Sequence, residues 1–293
     1  MSRSSALASL LNESSAPYRD PLVRLNWDGL DLGVWWLPPQ ALSLHGVAEF
    51  ERLPAPLRRR VSQHEFAWRA EVGLWLESVF IERLAVAADV TGDPALRCRF
   101  LHEIREQAGH SLMFMELFGR SGIRIPRAAR QRPSLAHRMS RRLPTGSALF
   151  WATVVIGEEF PDKLSRMVRQ GADDTAPSPL VHQVATLHTI AEARHIAHAR
   201  AMCEETSRGL PAWRRRLLSP LLDRGMRQYA AHVFYPPAEL YRLAGLPPGP
   251  DWTALAACNP QRRQLVAQAV KPTLDFLREQ GWRIGPFPPP QQP

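Results

Sequence analysis

The sequence predicts an all-α protein whose core is a bundle of four long antiparallel helices. Apolar residues recur at helical rather than alternating intervals in four long stretches. Proline and glycine punctuate the chain between those stretches. In each successive pair of stretches, a buried-looking carboxylate on the first helix faces a histidine-containing motif on the second.

Residues 1–53 read as an irregular arm, because Trp35, Trp36, Pro38 and Pro39 interrupt any long period. Trp27 and Leu30 are expected to pack back on the body. The first long helix should run from near Pro56 to about Val90, on the recurrence of Val61, Phe66, Val72, Leu76, Val79 and Leu84. Within it Glu77 stands among Leu74, Trp75, Leu76, Val79, Phe80 and Ile81, where an ionised carboxylate is costly unless paired or bound to a metal. Thr91-Gly92-Asp93-Pro94 stops this helix and starts the next, with Asp93 as N-cap and Pro94 at the first helical position. The second helix should reach about Phe118, and in a hairpin Glu77 and Gln107 lie at nearly one height, with His110 a turn further.

Gly119 to Gly146 is a basic connection with a short helix near Ser134 to Arg141. A third long helix, Ala148 to about Gln170, leads apolar Phe150, Val154 and Val155 into Glu158-Glu159, and Pro161 should open its hydrogen bonding just beyond them. After a loop from Gly171 to Pro179, the fourth helix carries His188, Glu192 and His195. These i, i+4 and i+7 positions fall on nearly one line of a helix, which makes a metal-ligand face. A single Glu or His on a helix is usually a solvated or internally paired group, so the case rests on two hairpins offering the same kind of residues together. Further helices are expected over 211–232, 239–244 and 260–280, followed by a disordered polyproline-like tail over 286–293. Residues 54–285 thus form one helical domain.

With 293 residues, 45% of them hydrophobic, the chain can bury such a site. Its formal charge of +9 comes largely from arginines in Arg58–Arg60, Arg127–Arg142 and Arg214–Arg216. These runs lack interleaved aromatics or a recognisable nucleic-acid module, so solvated helix ends and loops are expected and no nucleic-acid partner. Cys98, Cys203 and Cys258 are far apart, odd in number and without Cys-x-x-Cys spacing, which suggests neither a disulfide framework nor a zinc knuckle and suits a reducing cytoplasm. The N-terminus has no secretory pattern, and the longest apolar run, Ala148 to Gly157, falls short of the ~20 residues that cross a bilayer.

Val61-Ser62-Gln63-His64-Glu65, Gly73-Leu74-Trp75-Leu76-Glu77, His110-Ser111-Leu112-Met113-Phe114, Glu158-Glu159 and His188 through Ile196 together resemble the p-aminobenzoate N-oxygenase (AurF-type) family over about residues 40–205. The resemblance implies a ferritin-like core with additional N- and C-terminal helices, two iron ions (manganese being the alternative) and dioxygen as co-substrate. It also implies an external electron donor and oxygenation of a small organic substrate, for which N-oxygenation of an aromatic amine is the family example. A homodimer remains open. Carried over, the family pattern makes Glu77 and His110 ligands of a first metal, while Glu158, His188, Glu192 and His195 complete the second and the bridges. Glu158 is preferred to Glu159. Gln107 occupies the place of a family glutamate, and its neutral amide cannot cancel charge as a carboxylate does. Glu106 would replace it if the helix bulged by one residue. The Glu77/His110 half is therefore expected to hold metal weakly and the His188/Glu192/His195 half strongly. The alternative is a ferritin-like protein with altered chemistry that holds one metal or none.

Overall fold

A computed structural model describes residues 2–169 and 177–287 of the chain. The expected loop over 171–176, the end of the third long helix at Gln170 and the tail from Pro288 lie outside the described residues. Those described are helical and carry no strand, as the sequence pattern anticipates.

The N-terminal segment departs from the irregular arm expected. It begins with α1 (Arg3–Ser15), capped by Ser2, whose side chain accepts from Ser5 N. A Ser/Ala-rich segment has little amphipathic pattern to announce it, and tertiary contacts hold the helix instead. The N–H and Oγ of Ser4 both donate to Glu205, Arg3 pairs with Glu204 at 2.9 Å, and Ser15 Oγ accepts from Arg99. The breaks read from Trp35 to Pro39 lie downstream. There the chain makes α2 (Pro21–Arg24), 3-10 turns at Trp27–Gly29 and Pro39–Ala41, and α3 (Ala48–Glu51). Trp36, Leu37, Leu42, Leu44 and Phe50 from this stretch are buried in the common core.

The two central hairpins follow. The first pairs α4 (Ala55–Val90) with α5 (Pro94–Ser121). Asp93 caps α5 by accepting from Ala95 N and Leu96 N, with Pro94 beside it, so the stop-and-restart signal acts as read. A 3-10 turn (Arg127–Arg130) and α6 (Ser134–Arg142) lead to the second hairpin, α7 (Ala148–Arg169) with α8 (Pro179–Arg208). Pro161 inside α7 cannot donate to the carbonyl of Gly157, and Tyr229 Oη supplies the missing donor at 3.2 Å. Gly157 also lets α4 approach, since a Cβ there would stand 2.9 Å from Phe80 Cζ.

Around this core pack α9 (Ala212–Phe234), α10 (Ala238–Leu243), α11 (Trp252–Cys258) and α12 (Pro260–Glu279). Of these, α11, capped by Asp251, is a short helix the sequence pattern does not announce. Among the described residues no helix is long and apolar enough to cross a membrane.

Candidate metal centre

Four helices send charged and imidazole groups into the middle of the bundle. Glu77 comes from α4, Gln107 and His110 from α5, Glu158 from α7, and Glu192 and His195 from α8, all 7% exposed or less; His188, also from α8, is half-buried. Ligand atoms of Glu77, His110, His188 and Glu192 all lie within 4.8 Å of one another, and so do those of Glu158, Glu192 and His195. Glu192 belongs to both groups.

The first group is a near-complete cage. His110 Nδ1 lies 3.4 Å from Glu77 Oε1 and 3.4 Å from Glu192 Oε1, while His188 Nε2 lies 3.5 Å and 3.6 Å from the same two oxygens. Bonds of about 2.1 Å meeting at a tetrahedral angle set their ligand atoms about 3.4 Å apart, so these separations suit one cation at the centre. Glu77 Oε2, His110 Nδ1, Glu192 Oε1 and Gln107 Oε1 are buried without a hydrogen-bond partner among the described residues. Such orphans are expensive unless a cation completes them, so the donor set fits a metal.

The electrostatics point the same way. Burial, with the charge of Glu192 beside it, pushes Glu77 up to about 7 against the pull of His188. Burial and the same neighbour raise Glu158 well above the carboxylate range. Glu192 moves the other way: burial opposes its charge, but a hydrogen bond from Glu158 and the nearby His188 and His195 hold it ionised. Without a cation, then, the carboxylates cannot all ionise. Desolvation lowers His110 to about 4, which leaves it neutral with a lone pair to offer.

The second group contains the departure from the family pattern. Gln107 Nε2 stands 3.2 Å from Glu158 Oε1 and 3.2 Å from His195 Nδ1. Turning the amide over would present its unpartnered oxygen to the same two atoms. This corrects two expectations. The amide serves the Glu158/His195 half, not the Glu77/His110 half, and His188 sits with Glu77 and His110. Seven residues of α8 separate His188 from His195, which is about 10.5 Å of rise, so two imidazoles flanking one glutamate cannot share an ion. His110, whose ring centroid is 4.6 Å from that of His188, fills the height opposite it. One turn earlier on α5, Gln107 meets His195.

Neither alternate ligand enters the centre. Glu106 Oε2 lies 2.8 Å from His195 Nε2, and Arg194 donates to Glu106 Oε1 at 2.7 Å. Glu106 therefore orients His195 by taking its outer N–H and leaves Nδ1 facing the ligands. Burial opposes its charge, but His195, Arg194 and Arg99 keep it at about 2. Burial likewise works against the charge on His195, yet Glu192 and Glu106 raise it to about 10. Behind them Arg99 bridges Glu106 to Glu103, which also meets His198 Nδ1 at 2.9 Å. This supporting layer is absent from the sequence reading; its signal is Glu103-x-x-Glu106 facing His195-x-x-His198. Glu159 points away, held by Arg200 and by Thr273 Oγ1 at 2.7 Å.

Glu77, Glu158, His188 and Glu192 form part of the wall of a cavity that opens to solvent. The rest is mainly apolar, including Phe66, Phe80, Phe114 and Leu164, with Arg69 as the one arginine or lysine among the described residues that line it.

The family model described as P-aminobenzoate N-oxygenase AurF matches residues 1–281. Two relatives are the uncharacterized proteins Mb0909 of Mycobacterium bovis and Rv0885 of Mycobacterium tuberculosis (strain H37Rv), each 26% identical over 253 residues, which is 82% of this chain and 72% of theirs. The uncharacterized protein MT0908 of Mycobacterium tuberculosis (strain CDC 1551) is 25% identical over the same shares. With its dimetal-type donor set in a helical bundle and a match spanning nearly the whole chain, the protein belongs to the p-aminobenzoate N-oxygenase (AurF) family.

Proposed function

We propose that this protein is a non-haem di-iron oxygenase that transfers oxygen from dioxygen to a small organic substrate, with an amine nitrogen as the favoured acceptor. The observation that carries this reading is a pair of donor groups sharing Glu192 and opening on a largely apolar cavity. Glu77, His110, His188 and Glu192 would hold one ion; Glu158, Glu192 and His195, with the Gln107 amide oxygen turned inward, would hold the other. Bound as a ferrous pair, the metal would supply the electrons that reduce dioxygen, and an external donor would restore them. The chain's own part is to bind, orient and exclude water. Phe66, Phe80 and Phe114 keep the substrate end of the cavity dry. Glu106 keeps the outer proton of His195 on Nε2, so that Nδ1 stays a ligand.

Metal analysis of protein produced with added iron or manganese, followed by dioxygen uptake after reduction, tests the proposal. Two metals per chain with uptake on reduction are expected. The presence of Gln107 favours one competing reading, a protein holding a single ion in the Glu77/His110/His188/Glu192 cage. One metal per chain and no dioxygen uptake would establish that reading instead.

A further inference from the structure

One stretch of the chain takes no part in the proposed chemistry. Between Glu116 and Glu158 the sequence has no acidic residue, while Arg127, Arg130, Arg132, Arg138, Arg141 and Arg142 crowd into a 3-10 turn, α6 and the link between them. Only Arg130 and Arg141 of these have a carboxylate partner among the described residues, Glu71 and Glu82. Arg127, Arg138 and Arg142 are exposed. In α6, Met139 is laid into the core while Arg138 and Arg142, one turn apart, face outward. The outer face of this helix is therefore a positive field with little internal compensation.

This face stands over a connected route to the metal-ligating residues. His137, half-buried on α6 beside Arg138, accepts at Nδ1 from Trp75 Nε1 at 3.0 Å. The guanidinium of Arg132 lies 5.8 Å from the centre of the Trp75 ring. Trp75 is buried, and its ring centre is 6.1 Å from that of Tyr229, in an edge-on arrangement. Tyr229 Oη donates to the Gly157 carbonyl at 3.2 Å, and that carbonyl carbon is bonded to the backbone nitrogen of Glu158. From the surface to a carboxylate of the centre, the route takes two hydrogen bonds, one aromatic contact and a covalent link. Electron tunnelling weakens steeply with every gap between bonded atoms, and here each gap is held to hydrogen-bond or van der Waals reach.

We infer that the outer face of α6 is the docking site of a small acidic one-electron carrier protein, and that Trp75 and Tyr229 conduct its electron to the Glu158 side of the centre. The need for such electrons comes from the proposed function, on which this reading rests. A protein cannot enter the cavity, and the ligands are buried, so the electron of a docked carrier must cross the protein shell. In each encounter one electron leaves the reduced carrier and one ferric ion becomes ferrous. Two encounters reduce the pair, and the transfer itself makes and breaks no bond. Steering by opposite charge suits such partners, which meet through small faces and separate again. A nucleic acid or an anionic membrane would answer the charge but leave the route behind it without use.

Docking and electron entry are tested separately. The full-length protein, its metal content measured in parallel, is titrated at low ionic strength with an oxidised, acidic, plant-type two-iron ferredoxin. The wild type should bind, and Arg138→Glu combined with Arg142→Glu should weaken binding about 10-fold or more, a difference that added salt removes. Arg214→Glu combined with Arg216→Glu changes the net charge equally at the exposed start of α9 and should stay within about 2-fold of the wild type. No binding by the wild type, equal weakening by both pairs, or tighter binding of a short DNA duplex or of phosphatidylglycerol vesicles would overturn the docking site. For electron entry, the oxidised di-iron protein is mixed anaerobically with reduced ferredoxin or with reduced methyl viologen, a small donor that needs no docking. Trp75→Leu should keep its ferredoxin affinity and its reduction by methyl viologen but lose rapid reduction by ferredoxin. If that variant fails to fold, Trp75→Phe decides: it keeps an aromatic ring, loses the hydrogen bond to His137, and must be reduced by ferredoxin more slowly than the wild type. Unchanged reduction by ferredoxin overturns the route. Absence of metal or of dioxygen uptake would refute the oxygenase proposal, whereas the binding titrations need no metal, so the two failures are distinguishable.

Discussion

Replacing Gln107 by Glu restores a carboxylate to the Glu158/His195 half of the centre, and the structure says which ion should respond. The amide nitrogen of Gln107 is 3.2 Å from Glu158 Oε1 and 3.2 Å from His195 Nδ1, so a carboxylate oxygen in its place would stand among that ion's ligands. A unit charge about 4 Å from a divalent ion contributes on the order of 8 kcal/mol at an effective dielectric near 20, twice the value for two unit charges. Beside Glu158 and Glu192 the new carboxyl is held protonated without metal, and displacing that proton takes back most of the gain, leaving on the order of 1.4–2.8 kcal/mol, or about 10- to 100-fold in affinity. The assay is competition with a chromophoric chelator in a His188→Ala background, where the other half has lost a ligand and the Glu158 half dominates. Gln107→Glu should tighten binding there by at least about 10-fold, and without metal it should destabilise the protein by crowding a third carboxylate beside Glu158 and Glu192. If affinity rises only at the Glu77/His110 half, or stays unchanged in the His188→Ala background, the assignment of Gln107 is wrong.

Other consequences are as direct. His195→Ala removes the one imidazole of the Glu158 half and should take bound metal, read by elemental analysis, toward one ion per chain; unchanged stoichiometry would refute its role. Glu106→Gln should weaken metal binding about 10- to 100-fold by releasing the orientation of His195. In the metal-free protein, Glu106 is depressed from 4.5 to about 2 and His195 raised from 6.5 to about 10. The stability from Glu106 is fully present above 4.5 and lost as pH falls toward about 2, while that from His195 is fully present below 6.5 and lost as pH rises through about 10. The melting-temperature deficit of Glu106→Gln should therefore be largest between pH 4.5 and 6.5, and a deficit that grows at pH 9 would contradict the pairing. Tyr229→Phe strands the Gly157 carbonyl and should cost about 1–3 kcal/mol in denaturant titrations. In a Pro161→Ala background the restored backbone N–H should shrink that cost; equal costs in both backgrounds would show that Tyr229 acts otherwise.

What the sequence determined by itself is what lies within one element or one turn. His188, Glu192 and His195 share a line because a single helix spaces them, and α5 starts at Asp93-Pro94 because cap and ring geometry act within a few residues. The carboxylate in an apolar run at Glu77 was equally legible, since burial cost depends on near neighbours. Only the tertiary structure decided how these pieces divide between two positions. The pairing of His110 with His188, and of Gln107 with His195, depends on how far α5 is shifted along α8, and no local pattern encodes that offset. One residue of helix turns a side chain by about 100°. Whether Glu158 or Glu159 faces the centre, and whether Glu106 or Gln107 does, follows from how α7 and α5 are rotated against their neighbours. The helical N-terminal segment was illegible for a related reason, because α1 is held by Glu204, Glu205 and Arg99 from distant helices.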